Sequence, residues 1–329
     1  ITVFNCIFVK NKIIASKSCK LHEARGRYKQ ANQKTFVNKT QIMLDIENPN
    51  ELLKELREKF LRLHNRFLAV AMDYKYYINP NISDNEIYKL RDNVIFRLQS
   101  ARFHFELLLQ HHNYVEYNIK EIHTSQIPIL NGGIELQMYQ MQATEEIYSL
   151  FDSLIYHLCS NFDYLFRLIN FIHGETELAQ PKWNLFKSDK NIKKNIYCSK
   201  ELIDALDILD QKFVYPLIKH RSFLIHNEHA VGGHQIFLND LKTRFLVTET
   251  LINHFPELTI EFGEEEMSIS FVAKWLIDKT FETITEVLFE VRDDIIRNRK
   301  QVQPIFFSLG PNNTMQSTSV HYWGERNHI

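Results

Sequence analysis

The sequence predicts a mainly α-helical protein with a small β-rich segment before the helices. Three observations point there. Nine glycines and eight prolines are few for 329 residues, and scarce turn residues argue for long helices over many short strands. Apolar residues recur at steps of three and four over long stretches, the mark of a helix with one buried stripe. Capping residues stand directly before several of those stretches.

The elements follow in order. In residues 1–45, "TVFNCIFV" and "KIIAS" read as a hairpin with Lys10, Asn11 and Lys12 near its turn, and "KTFVNKTQIML" offers a further strand. Residues 46–142 read as a helical extension and linker. Asn50 is placed to cap a first helix through "ELLKELREKFLRLHNRFLAVAMDYKYYI". Ser83 and Glu86 have capping-box spacing before a second helix, whose stripe is Ile87, Leu90, Val94, Leu98, Ala101, Phe105 and Leu108. The stretch from 117 to 142, with Pro128 and Gly132-Gly133, reads as a linker.

Residues 143–300 read as a helical bundle. A third helix carries Ile147, Phe151, Leu154, Leu158, Phe162, Leu165, Ile169 and Ile172 and stops at Gly174. Ser199 caps a fourth, with Leu202, Leu206, Leu209 and Phe213 inward. Pro216 suits the first turn of a short fifth helix, ended by Gly232-Gly233. "FLNDLKTRFLVTETLI" and "ELTIEFGEEEMSISF" suggest short strands, and a last helix carries Ile277, Phe281, Ile284, Leu288, Val291 and Ile295. Residues 301–329 read as a loose tail.

Composition removes several function classes. A formal net charge of −1 supplies no global basic field to gather nucleic acid, so any such contact needs a local patch. Cys6, Cys19, Cys159 and Cys198 have no C-x-x-C spacing and read as reduced thiols, which points to a cytoplasmic protein. No apolar run approaches membrane-spanning length, and in "ITVFNCIFVKNKIIASKSC" the charges follow the apolar stretch instead of preceding it, unlike a secretory signal. There is no P-loop, no dinucleotide-binding glycine fingerprint and no serine-hydrolase elbow.

The chemistry concentrates in "HRSFLIHNEHA", residues 220–230. Arg221 offers a permanently charged fork matched to phosphate. His226 offers an imidazole that can take or return a proton. Together they suit phosphodiester cleavage in which a 2′-hydroxyl attacks its own phosphate: His moves the proton and Arg stabilises the crowded oxyanion. On an ideal helix five residues turn through about 140°, so both reach one phosphate only at a helix start or in a cleft that wraps the helix.

Arg221-Ser222-x-x-x-His226 resembles the R-x(4–6)-H motif of the HEPN superfamily, in which a polar residue usually follows the Arg. The resemblance covers roughly the second half of the chain. It implies a HEPN-like helical bundle, a metal-independent ribonuclease without cofactor, a setting in bacterial toxin–antitoxin or abortive-infection defence, and a homodimer whose two motifs share one cleft. RNA and an antitoxin or defence-system protein are the implied partners. Ser222, Asn161, Asp163 and Asn227 are candidate supporting residues, with His229, Lys193 and Lys194 toward the substrate. Three other matches, Arg57/His64, Arg97/His104 and Arg167/His173, lie inside long helices whose apolar stripes account for them as surface or flanking positions. Two other readings stand beside this one: a non-catalytic HEPN-like module that binds RNA or a protein partner, and a metal-dependent hydrolase built on His226, His229 and His234.

Overall fold

The computed structural model describes residues 49–124, 129–174, 182–187, 199–226, 232–237, 242–262, 267–298, 308–309, 315–316 and 319–325. The β-rich segment expected in residues 1–45 lies outside them. The described residues are mainly helical, and among them no helix is long and apolar enough to cross a membrane. They comprise α1 (Pro49–Tyr77), α2 (Asp84–Thr124), α3 (Ile129–Gly174), a 3-10 turn (Trp183–Lys187), α4 (Lys200–Leu209), a π-helical turn (Asp210–Val214), α5 (Tyr215–His226), strands β1 (His234–Phe237) and β2 (Lys242–Phe245), and α6 (Glu249–His254). After these come α7 (Pro256–Phe262), α8 (Ile269–Arg297), β3 (Ser308–Leu309), β4 (Met315–Gln316) and α9 (Val320–Trp323).

The periodic stripes become the core. Ile87, Leu90, Val94, Leu98, Ala101, Phe105 and Leu108 of α2 are buried, as are all eight stripe residues of α3 and all six of α8. The expected linker at 117–142 is instead helical on both sides of residues 125–128. The α2 stripe continues through Val115 and Ile119, both buried, so burial carries the helix past the point where the sequence suggested a stop. "ELTIEF" is helical in α7 rather than extended, and Pro256 occupies its first position, where a missing amide costs nothing.

The residues form two compact units, neither continuous in sequence. The first takes 49–52 and, from the later elements, 107–151 and 228–274. Its hairpin pairs β1 and β2 antiparallel, with His234 opposite Phe245 and Phe237 opposite Lys242. The outer edge of β2 is covered by α2. Glu116 accepts from the Thr243 amide at 2.9 Å, and a His112 ring nitrogen stands 2.9 Å from the Thr243 carbonyl, so the backbone groups an edge strand would leave open are taken. Gly232 lies outside α5, and a Cβ there would collide with the Tyr148 hydroxyl and the Leu246 carbonyl, which hydrogen-bond to each other.

The second unit takes 53–106, 152–227 and 275–325. The expected loose tail is in part anchored here. Trp323 and Ser319 are buried. The Asp73 carboxylate accepts from the Ser319 hydroxyl and, at 2.8 Å, from the Trp323 indole N–H. Arg66 donates to the carbonyls of Trp323 and Glu325 and to the Thr285 hydroxyl. Two buried charges on α1 therefore hold the 319–325 segment, and that segment satisfies them.

A second buried polar node ties α3 to α4 and α8. Ser199 caps α4 through the Leu202 amide, as its position suggests, and donates its hydroxyl to Asp294. His173 stands 3.4 Å from the other Asp294 oxygen, and Arg297 lies 3.6 Å from the carboxylate on the solvent side. Burial drives His173 down to about 4 and raises Asp294, so both sit toward their neutral forms. The sign for His173 follows. Its folded pKa lies below the unfolded value of 6.5, so the unfolded chain binds the extra proton first, and stability falls as pH drops from 6.5 toward 4. The slope from this group is about 1.4 kcal/mol per pH unit. Asp294 works in the opposite sense at the acid end. In urea unfolding at pH 7, 6 and 5, the wild type should lose stability more steeply than His173→Gln, which keeps a polar group beside Asp294 but does not titrate; parallel slopes would contradict the buried neutral imidazole.

Candidate functional site

The helix bearing Arg221 does not start at Pro216. It runs from Lys200 to His226 through the π-helical turn. In a regular helix the Pro216 ring would meet the carbonyl one turn back and leave it without a donor. Here the turn before it is widened: the Tyr215 amide reaches back five residues to the Asp210 carbonyl, the bulge that lets a helix pass such a residue. The widened turn carries Asp210, which is buried and accepts the Trp183 indole N–H at 2.8 Å.

Trp183 also fixes α3. Its backbone amide donates to Asp163 at 2.8 Å, and its ring, fully buried, meets Phe162 and Phe186 edge-on. One residue thus holds α3 and the helix of Arg221 through its two N–H groups. Against that frame Arg221 lies with its guanidinium 5.9 Å from the centre of the Tyr156 ring. Tyr156, Cys159 and Asp163 recur at steps of three and four along one side of α3. Burial raises the Asp163 carboxyl, while the Trp183 amide and the charges of Arg221 and Lys182 pull it back. The Arg221 Nε is buried without a hydrogen bond, and no described carboxylate forms an ion pair with its guanidinium.

The expected residues are therefore placed unequally. Arg221 is half-buried against α3, whereas Ser222 and His226 are exposed, His226 as the last residue of α5. Within one chain the two motif side chains diverge around the helix, as five residues without a helix start require. Asp163 comes under the influence of Arg221. Asn161 does not: it is fully buried, its amide bonded to the His157 carbonyl of its own helix and its oxygen left without a partner. It falls in the core stripe rather than beside it, three residues from Leu158 and four from Leu165. Asn227, His229, Lys193 and Lys194 lie outside the described residues.

Of the histidines in the metal reading, His234 sits in the first unit, its ring within 3.2 Å of the Gln140 side-chain oxygen and 3.4 Å of the Thr144 hydroxyl. Among the described residues no group of three His, Cys, Asp or Glu stands where it could hold one metal ion. Tyr156, Trp183 and Asp210 were not found from the sequence. The one available signal was Trp183 itself, a large aromatic in an otherwise polar loop. Comparisons with models of known protein families, with curated proteins and with solved structures find no match to this chain.

Cys159 lies at the back of the site, its thiol bonded to the Leu217 carbonyl at 3.5 Å. Burial pushes it up to about 12, against a smaller opposing effect of Arg221. The thiolate is the reactive form, so the folded protein should leave Cys159 unmodified by iodoacetamide at pH 8 while denatured protein is alkylated there. Peptide mass mapping reads this directly, and rapid labelling in the native state would mean that the α3–α5 contact opens.

Proposed function

We propose that this chain is a HEPN-like ribonuclease that cuts RNA without a metal ion, acting in the cytoplasm as part of a bacterial defence or toxin–antitoxin system. One observation carries the reading: Arg221 is a half-buried guanidinium resting on Tyr156, with Asp163 close enough to feel its charge, and no ion pair to any described carboxylate. A cation removed from water without an anionic partner is costly, and a phosphate would supply that partner. His226, exposed one and a half turns further on, supplies the proton-transfer group. Because the two side chains diverge on a single helix, two copies facing across α5 would bring both kinds of group to one RNA strand.

The reaction is an internal transfer. The 2′-hydroxyl loses its proton to an imidazole as its oxygen attacks phosphorus. The bond to the 5′-oxygen breaks, that oxygen takes a proton, and the products are a 2′,3′-cyclic phosphate and a 5′-hydroxyl. Arg221 neutralises charge on the non-bridging oxygens as it builds. A second reading, a non-catalytic RNA- or partner-binding module of the same class, draws on the inward turn of Arg221, which leaves His226 facing solvent alone.

Arg221→Ala and His226→Ala should each reduce cleavage by about a hundredfold or more with unchanged unfolding midpoints, and Arg221→Lys should rescue little because a point charge lacks the fork. His64→Ala should retain activity. Cleavage should persist in EDTA and yield 2′,3′-cyclic phosphate ends by mass spectrometry. Fragments with 5′-phosphate made only on adding a divalent metal would sink the mechanism, and RNA bound but never cut would favour the module.

A further inference from the structure

Another side of α3, in the same unit, faces α2. Here α2 repeats an aromatic–cation pair after two helical turns: Phe96-Arg97 and Phe103-His104. Seven residues bring a helix back to nearly the same face, so the aromatics form one stripe and Arg97 and His104 the next. Phe96 is 62% and Phe103 52% exposed, and each large ring is met by its own chain neighbour, Phe96 by Arg97 and Phe103 edge-on by His104. Arg97 lies between two rings, 5.6 Å from the centre of Phe96 and 5.2 Å from that of Tyr164, and its only hydrogen bond among the described residues is a long one to the Tyr164 hydroxyl. No described carboxylate pairs with it.

The second pair is equally open. A ring nitrogen of His104 lies 2.8 Å from the Ser100 carbonyl, which makes that nitrogen the protonated one and turns the other outward. The His104 ring stands 4.5 Å from that of His157 on α3. Burial, then the neighbouring His104 and Arg97, hold His157 below the usual imidazole range, and no acidic group is among the causes. Arg97 and two imidazoles thus share one half-exposed face, flanked by two exposed aromatic rings.

We infer that this α2–α3 face binds a single strand of RNA, with Arg97, His104 and His157 holding phosphates and Phe96 and Phe103 stacking on bases. Sequence-tolerant single-strand sites combine these two kinds of group, a cationic track for the backbone and aromatic platforms for the bases. A duplex hides its base faces and leaves the rings without a ligand. The choice of RNA over DNA rests on the ribonuclease reading above; the single-strand chemistry rests on this face alone. The R-x6-H spacing of Arg97 and His104 thereby becomes a binding register in which one face presents both groups.

The test uses the full-length protein and a fluorescein-labelled 2′-O-methyl RNA twelve-mer, which cannot undergo internal transfer, so affinity is read without cleavage. By anisotropy, the Phe96→Ala/Phe103→Ala double variant should bind about tenfold more weakly or worse. Arg97→Ala should weaken binding and lower the dependence of log Kd on log salt by about one charge, while Ile208→Ala, a change at another exposed apolar residue, should leave both unchanged. A duplex of the same sequence should bind far less well. Equal affinity for the duplex, or unchanged affinity in the double variant, would overturn the inference. So would a double variant that loses self-association by light scattering yet binds RNA normally, since the face would then belong to a second copy. Binding through this face in a protein that cuts no RNA would uphold the inference while removing the ribonuclease reading; cleavage with no effect of the double variant on affinity would do the reverse.

Discussion

Everything about the candidate site depends on how Trp183 uses its two N–H groups. The indole donor goes to Asp210 and the backbone donor to Asp163. Those carboxylates sit on the two helical segments that face each other across the site. Each lost contact with water on burial, and each recovers a donor from the same residue, so the pairing of α3 with the Lys200–His226 helix is specified by hydrogen bonds as well as by fit. Remove the indole N–H and Asp210 is left buried without that donor. The result is a fixed separation between Asp163 and the helix carrying Arg221, which places the guanidinium against Tyr156 instead of in open water.

The π-helical turn is the other half of that constraint. It begins at Asp210 and ends at Val214, two residues before Pro216, so a single local widening both accommodates the proline and presents a buried acceptor to Trp183. An extra residue in a turn also rotates everything that follows by roughly 100° relative to a regular helix. The direction in which Arg221 points is therefore set at Asp210–Val214, more than a turn before Arg221 itself. Pro216 stabilises the arrangement from its own side, because a regular turn at that place would leave a carbonyl unbonded.

Much of the scaffold was legible in the sequence, because long helices advertise their buried side by repetition. The stripes of α2, α3 and α8 required nothing beyond counting threes and fours, and the Ser199 cap required only its position before Leu202. The failures share a cause. Pro216 and Gly132-Gly133 read as punctuation by their local preferences, while their surroundings decide otherwise: a π turn absorbs Pro216 and a long helix runs through the glycine pair. The site was half legible. Asp163 stood out as a carboxylate on a bundle helix, but its neighbour Asn161 looked equivalent, and a rotation of 200° between them decides which one meets Arg221. Trp183 and Asp210 could not be paired by spacing, since they stand 27 positions apart with no shared periodicity.

The anchoring of residues 319–325 has a consequence for how the protein is made. Asp73 and Arg66 belong to the first helix to leave the ribosome among those described, yet Asp73's buried partners are Ser319 and Trp323, up to 250 positions later. Throughout most of translation, α1 carries two charges that still lack these late partners. The full set of hydrogen bonds to Asp73 and Arg66 therefore forms only once Trp323 and Glu325 have cleared the exit tunnel. Such a chain completes its second unit only after synthesis has passed Trp323, so the last step of its folding follows translation instead of accompanying it.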